Sequence, residues 1–169
     1  MKLNYALIET RLGWLGVLGS TAGLLHIVPP QASPQVVLAT FGEPLAGAHP
    51  DISFFGNLLD RLKQYLEGEV VTFPDPLDLA GATPFQSTVW QMTRSIPYGE
   101  TRSYAWLARQ IGIPGGARAV GQALANNPLP IVVPCHRVIG IRRKLRCSRS
   151  LEMRRQLLEI EGLELVLQN

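Results

Sequence analysis

A chain of 169 residues, 46% hydrophobic and 17% charged, can bury a core of its own, which argues against a disordered or disulfide-stapled protein. Its two cysteines, Cys135 and Cys147, lack a four-ligand spacing, and no signal-peptide pattern or apolar run of roughly 20 residues occurs, so we expect no metal or cofactor, no membrane contact and a cytoplasmic location. Charge is divided: residues 1–82 carry four Lys/Arg against eight Asp/Glu (net −4), residues 83–169 twelve against five (net +7), so the second half favours a polyanionic partner such as nucleic acid.

Residues 3–10 and 14–18 read as short β runs, a turn follows at 19–23, and a third run covers 24–28, which together make a β-meander. Pro29, Pro30 and Pro34 are expected to end it and to leave an irregular stretch up to Pro50, with one short strand at 36–40. Asp51 is placed to cap a helix running to about Gly68. Its Phe54, Phe55, Leu58, Leu59, Leu62, Tyr65 and Leu66 form a core-facing stripe. A proline-punctuated segment from Phe73 then carries the chain across to its second half. The first half shows no chemistry and reads as an α/β scaffold domain, a small antiparallel sheet plus a helix, over residues 1–80.

Thr83 caps and Pro84 opens a helix to about residue 95, and residues 96–100 turn. Ser103 begins a second helix, 104–111, ended by Gly112; a third, 117–126, follows the Ile113-Pro114-Gly115-Gly116 turn. Two short helices joined by a glycine-containing turn are the skeleton of a helix-turn-helix, so residues 81–169 are expected to form a mainly α, winged helix-turn-helix-like domain. The third helix is smooth (Ala117, Ala119, Gly121, Ala123, Leu124, Ala125), with Arg118 its only charge. Such a surface suits a shape-led, sequence-indifferent contact in a minor groove better than readout of base edges in a major one.

Residues 131–140, Ile-Val-Val-Pro-Cys-His-Arg-Val-Ile-Gly, plant Cys135 behind a buried strand or turn, with Pro134 biasing its predecessor towards extended geometry. A thiol becomes a strong nucleophile as thiolate, which needs a base, a positive charge or a helix N-terminus nearby, and His136 and Arg137 are the local candidates. Adjacent side chains on an extended backbone point to opposite faces, so a water is expected to bridge Cys135 and His136. An arbitrary Cys-His pair reads more readily as a buried structural cysteine beside a basic neighbour. A final helix, 151–161, ends at Gly162.

Pro134-Cys135-His136-Arg137-Val138 resembles the signature of the O6-alkylguanine-DNA alkyltransferases, single-use repair proteins that move an alkyl group from damaged guanine to their own cysteine. The likeness runs nearly without gaps from about Pro84 to Gly162, and loosely over the first part of the chain. It implies a double-stranded DNA partner containing O6-alkylguanine, with O4-alkylthymine a further candidate, bound through the minor groove by a monomer located at the nucleoid if the source is bacterial. Cooperativity along DNA stays open. The helix bearing Ala117, Arg118, Ala119, Gly121, Gln122 and Ala125 would face DNA, with Arg118 in the place of the extruded base. Tyr104 matches the tyrosine that crowds the 3′ phosphate, helps rotate the nucleotide and protonates the departing guanine. Asn127 matches the asparagine that braces the cysteine loop, and Glu161 the glutamate that orients the histidine. Pro130, Val138, Cys147 and Ser148 fall at the substrate pocket. The implied reaction extrudes the base, passes the Cys135 proton through water to His136, and displaces guanine by SN2 attack, leaving a thioether that nothing hydrolyses.

The likeness weakens between Gly140 and Leu151. Where the family has a glycine-rich loop with an aromatic residue before serine, this chain has Ile-Arg-Arg-Lys-Leu-Arg-Cys-Ser-Arg-Ser. Ser148 is in register, but Cys147 stands at the aromatic position. The missing stacking face predicts a looser hold on the base, and five positive charges in ten residues predict a mobile loop with salt-sensitive phosphate affinity. Three other readings stand beside this one: a cysteine hydrolase, which would turn over; an alkyltransferase-like lesion binder without transfer; and a helix-turn-helix regulator, which would show strong sequence preference.

Overall fold

The computed structural model describes residues 1–140 and 151–164, and the chain divides into two compact units, Met1–Gly81 and Ala82–Asn169. In the first, alternating apolar residues build an antiparallel meander of β1 (Asn4–Thr10), β2 (Gly13–Ser20) and β3 (Gly23–Gln31). Asn4 faces Gly19 and Thr10 faces Gly13 across the first hairpin. A two-residue β4 (His49–Pro50) pairs parallel to β1, so the sheet is mixed, in the order β3-β2-β1-β4.

Two sequence expectations fail here for identifiable reasons. Pro29 and Pro30 do not end β3, which continues to Gln31 opposite Trp14. The strand lies at the sheet edge, and a register shift between Trp14 and Gly16 takes up the irregularity, which are the conditions under which a strand tolerates proline. The expected strand at 36–40 is instead helix α1 (Pro34–Phe41). The Ser33 hydroxyl accepts from the Val36 amide at 3.3 Å and Pro34 occupies the first turn. Val37 and Phe41, one helical turn apart, then pack on Leu18 and Val28, and that burial overrides the β preference of the valines. Gly16 makes the approach feasible, since a Cβ there would come within 2.4 Å of the Val37 side chain.

Asp51 does not cap the expected helix: its Oδ1 accepts from the Phe54 amide at 3.1 Å beside a short 3-10 turn, Ser53–Phe55, whose N-cap is Ile52. Gly56 (φ 55) breaks the chain there, and α2 starts afresh at Leu58–Leu66. Its stripe is buried as expected, except that Phe54 is exposed. The segment after Phe73 is more than a connection. The Leu24 amide donates to Pro76 O (2.9 Å), the Asp78 amide donates to Leu24 O (2.8 Å), and Ser20 Oγ donates to Asp78 Oδ2 (2.5 Å).

The second unit is helical. α3 (Pro84–Thr93) opens with a capping box in which the Thr83 and Gln86 side chains each accept from the other's backbone amide. β5 (Arg102–Ser103) leads into α4 (Tyr104–Gln110), capped by Ser103 Oγ, and α5 is Ala117–Ala125. Trp90 of α3 donates its indole N–H to Ala123 O of α5 at 2.9 Å, which fixes the spacing of those helices. After a buried turn come β6 (Val138–Ile139), parallel to β5, and α6 (Leu151–Ile160). Among the described residues no helix is long and apolar enough to cross a membrane.

Candidate active site

The stretch that carries Cys135 is a turn wound around Asn127, not a strand. Residues 131–134 are buried, and Ile131 adopts φ 76, a conformation β-branched residues resist and which only surrounding contacts can hold. Those contacts come from Asn127, whose Nδ2 donates to Val133 O at 3.0 Å and whose Oδ1 accepts from the Leu129 amide at 2.9 Å. The Val133 amide donates to Leu129 O, closing the turn at 2.8 Å. Pro134 then enters a 3-10 helix, Cys135–Arg137.

That geometry corrects the expectation of an extended Cys-His pair. In a 3-10 turn successive side chains are rotated by about 120°, so three consecutive residues face three ways. Cys135 is half-buried, while His136 and Arg137 turn inward. His136, 1% exposed, meets the buried Glu161 just beyond the end of α6, Nε2 to Oε2 at 2.7 Å. Arg137 does not serve the sulfur. Its Nε donates to Glu161 Oε1 at 2.8 Å, its Nη2 contacts the same oxygen, and its Nη1 donates to Ile96 O at 2.7 Å.

One carboxylate therefore serves two partners. Burial tends to raise the Glu161 carboxyl, but hydrogen bonds from His136 and Arg137, together with their charges, outweigh it and hold the group below its usual range. For His136 burial dominates and pushes the imidazole below its ordinary value, against the upward pull of Glu161. The resting pair is thus a neutral imidazole and a carboxylate. An ionised Glu161 can only accept, so the short bond requires the proton on Nε2 and leaves Nδ1 as the basic nitrogen.

Arg154, a residue sequence reasoning missed, reaches in from α6 and donates from Nη2 to Cys135 O at 2.6 Å. Its signal was present: it lies in line with Leu157, Leu158 and Glu161 on the buried face of the last helix, where a cation needs a reason. Arg137's engagement with Glu161 was likewise not foreseen.

The residues expected to face DNA gather on α5. Val120, Ala123 and Leu124 are buried, Arg118, Ala119 and Gln122 are exposed, and Ala117, Gly121 and Ala125 are half-buried. Tyr104, first residue of α4, lays its ring beside Gly121, where a Cβ would sit 3.7 Å from it. The β5–β6 ladder, Ser103 opposite Ile139, ties the start of α4 to the exit of the Cys135 turn. Pro130 is half-buried and Val138 buried in that turn. Cys147 and Ser148 lie outside the described residues. Among those residues no group of three or more His, Cys, Asp or Glu side chains could hold a metal ion.

A family model described as 6-O-methylguanine DNA methyltransferase, DNA binding domain, matches residues 84–163. The methylated-DNA–protein-cysteine methyltransferase of Mycobacterium tuberculosis is 40% identical over 160 residues, 94% of this chain and 92% of that one. The protein of the same name from Methanosarcina acetivorans is 36% identical over 161 residues, 95% and 99% of the two chains. A crystal structure of the Mycobacterium tuberculosis protein in complex with DNA superposes with a TM-score of 0.78 at 40% identity, covering 94% of this chain and 92% of that one.

Proposed function

The chain belongs to the methylated-DNA–protein-cysteine methyltransferase family, and on that premise we propose that it repairs DNA by moving the alkyl group of O6-alkylguanine, and of O4-alkylthymine, onto its own Cys135. The observation that carries this reading is the pairing of a half-exposed Cys135 with a neutral, buried His136 whose Nε2–H is held by Glu161.

α5 enters the minor groove of duplex DNA by its exposed face, the small residues allowing close approach and Arg118 filling the space of the displaced nucleotide. Tyr104 crowds the phosphate beside that nucleotide and turns it out of the stack, since O6 cannot be reached inside a duplex. His136 Nδ1 takes the Cys135 proton through a water, and Glu161 stabilises the imidazolium that results. The thiolate attacks the alkyl carbon. The S–C bond forms as the C–O6 bond breaks, and the electron pair leaves with guanine, which takes up a proton from the Tyr104 hydroxyl. The product is a thioether on Cys135. A thioether is stable to water, so each molecule acts once, as a monomer.

Incubation with a duplex containing a single O6-methylguanine, followed by peptide mass analysis, tests this reading. We expect an equimolar burst and a gain of one methyl on the Cys135 peptide, both abolished by Cys135→Ser. DNA binding with no mass gain would identify a lesion binder, and repeated turnover a hydrolase. A parallel duplex carrying O4-methylthymine tests the wider substrate range.

A further inference from the structure

We propose that Tyr98 is a positioning residue for the alkyl transfer, holding the carboxylate end of the His136–Glu161 pair from the turn that follows α3. The proposal deepens the functional reading above and rests on it. Sequence reasoning treats residues 96–100 only as a turn, yet three contacts and one close approach hold that turn against Arg137 and the end of α6. Ile96 O accepts from Arg137 Nη1 at 2.7 Å. The Tyr98 ring lies under the Arg137 guanidinium, 5.8 Å from Cζ to centroid. The Tyr98 hydroxyl donates to Ile160 O at 3.1 Å. Gly99, at φ 76, runs so near the end of α6 that a Cβ there would lie 3.6 Å from Glu161 O.

The hydroxyl contact is the informative one. Ile160 is the last residue of α6, and its carbonyl is among those that a helix leaves without an intrahelical donor. The peptide that carries that carbonyl leads directly into Glu161, so the phenol fixes the orientation of the backbone from which the carboxylate projects. The ring face meanwhile steadies the guanidinium that grips both carboxylate oxygens. Burial and the Glu161 charge both push the Tyr98 phenol above its ordinary value, so it remains a hydrogen-bond donor through the neutral range. The charged groups facing His136 itself are Glu161, Arg137 and Arg154. Tyr98 acts through the first two.

The test compares wild type, Tyr98→Phe and Tyr98→Leu by 15N NMR of the His136 ring, by melting temperature, and by single-turnover transfer from an O6-methylguanine duplex. Phenylalanine keeps the ring and the fold. In Tyr98→Phe we expect the His136 titration midpoint to move down as Glu161 loosens, the Nε2–H tautomer to lose dominance, and transfer to slow about fivefold, the loss of one ordinary hydrogen bond. Duplex affinity is expected to be unchanged in both variants, and Tyr98→Leu should exceed Tyr98→Phe in its effect on ring shifts, melting temperature and transfer rate. A lower melting temperature with wild-type ring shifts and wild-type rate would make Tyr98 purely structural and overturn the proposal. Should wild type fail to alkylate Cys135, the functional reading falls, and the ring shifts, measured on the free protein, still decide whether Tyr98 positions the pair.

Discussion

Glu161 is the residue on which the site's electrostatics turn, because it answers a buried cation and a buried imidazole at once. Both contacts are out of water, where removing one member of an ion pair strands the other. Glu161→Gln should therefore destabilise the protein by about 3–5 kcal/mol, measured by urea denaturation, as well as slow transfer. The same groups set the response to acid. The folded protein holds His136 neutral below its ordinary value near 6.5, so in that range the unfolded chain binds one more proton. Stability then falls with falling pH, at up to about 1.4 kcal/mol per unit. Glu161 acts in the same sense but lower: its contribution is present above the ordinary carboxyl value near 4.5 and is lost as pH drops through the depressed folded value. Urea midpoints between pH 7 and 5 should fall in wild type and fall less steeply in His136→Gln. The signature motif singled out Cys135 and His136 in the sequence, and only the wider family likeness singled out Glu161. Arg154 and Tyr98 were not, because their importance lies in backbone carbonyls that only the fold brings to them.

At the scale of elements, α5 joins fold to function through what it lacks. Its buried face is an ordinary i, i+3, i+4 set of Val120, Ala123 and Leu124, and its outer face carries almost nothing longer than a methyl group apart from Arg118 and Gln122. Gly121 separates packing from binding. A Cβ there meets the Tyr104 ring at 3.7 Å, an ordinary contact, so the fold has room for it. Gly121→Ala should stabilise the helix by about 0.5–1 kcal/mol, while the thicker outer face weakens duplex binding, measured by anisotropy. Undiminished binding would show that the helix does not approach DNA closely along this face. Helices were readable where cap, proline and glycine agree, as at Thr83-Pro84, Ser103, Gly112 and Gly162. They were not where local signals conflict: Val36-Val37 suggested a strand until Ser33, Pro34 and the approach over Gly16 outweighed β preference, and Pro29-Pro30 suggested an end that the sheet edge did not require.

For the whole molecule, the uneven charge is a statement about association, and the structure sharpens where that charge is available. Of the twelve basic residues after position 82, Arg137 and Arg154 are buried at the Cys135 turn, Arg102 is paired with Glu100, and Arg155 lies beside Glu152 and Glu159. None of these four is well placed to neutralise a phosphate. Arg118 is exposed on α5, and five more charges, Arg142, Arg143, Lys144, Arg146 and Arg149, are concentrated in one stretch of sequence. Each cation that neutralises a phosphate releases a counterion, making the slope of log affinity against log salt steeper by about 0.9. Replacing Arg142, Arg143 and Lys144 together with Gln should therefore flatten that slope by as much as about 2.7, with the loss of affinity greatest at low salt. Anisotropy titrations of an unmodified duplex across a series of KCl concentrations measure it directly. Methylation of Cys135 by a small soluble alkylating agent should meanwhile proceed at the wild-type rate, because the turn, His136 and Glu161 are untouched. An unaltered slope would mean that these charges do not meet phosphates, leaving Arg118 and the remaining arginines to account for the salt dependence.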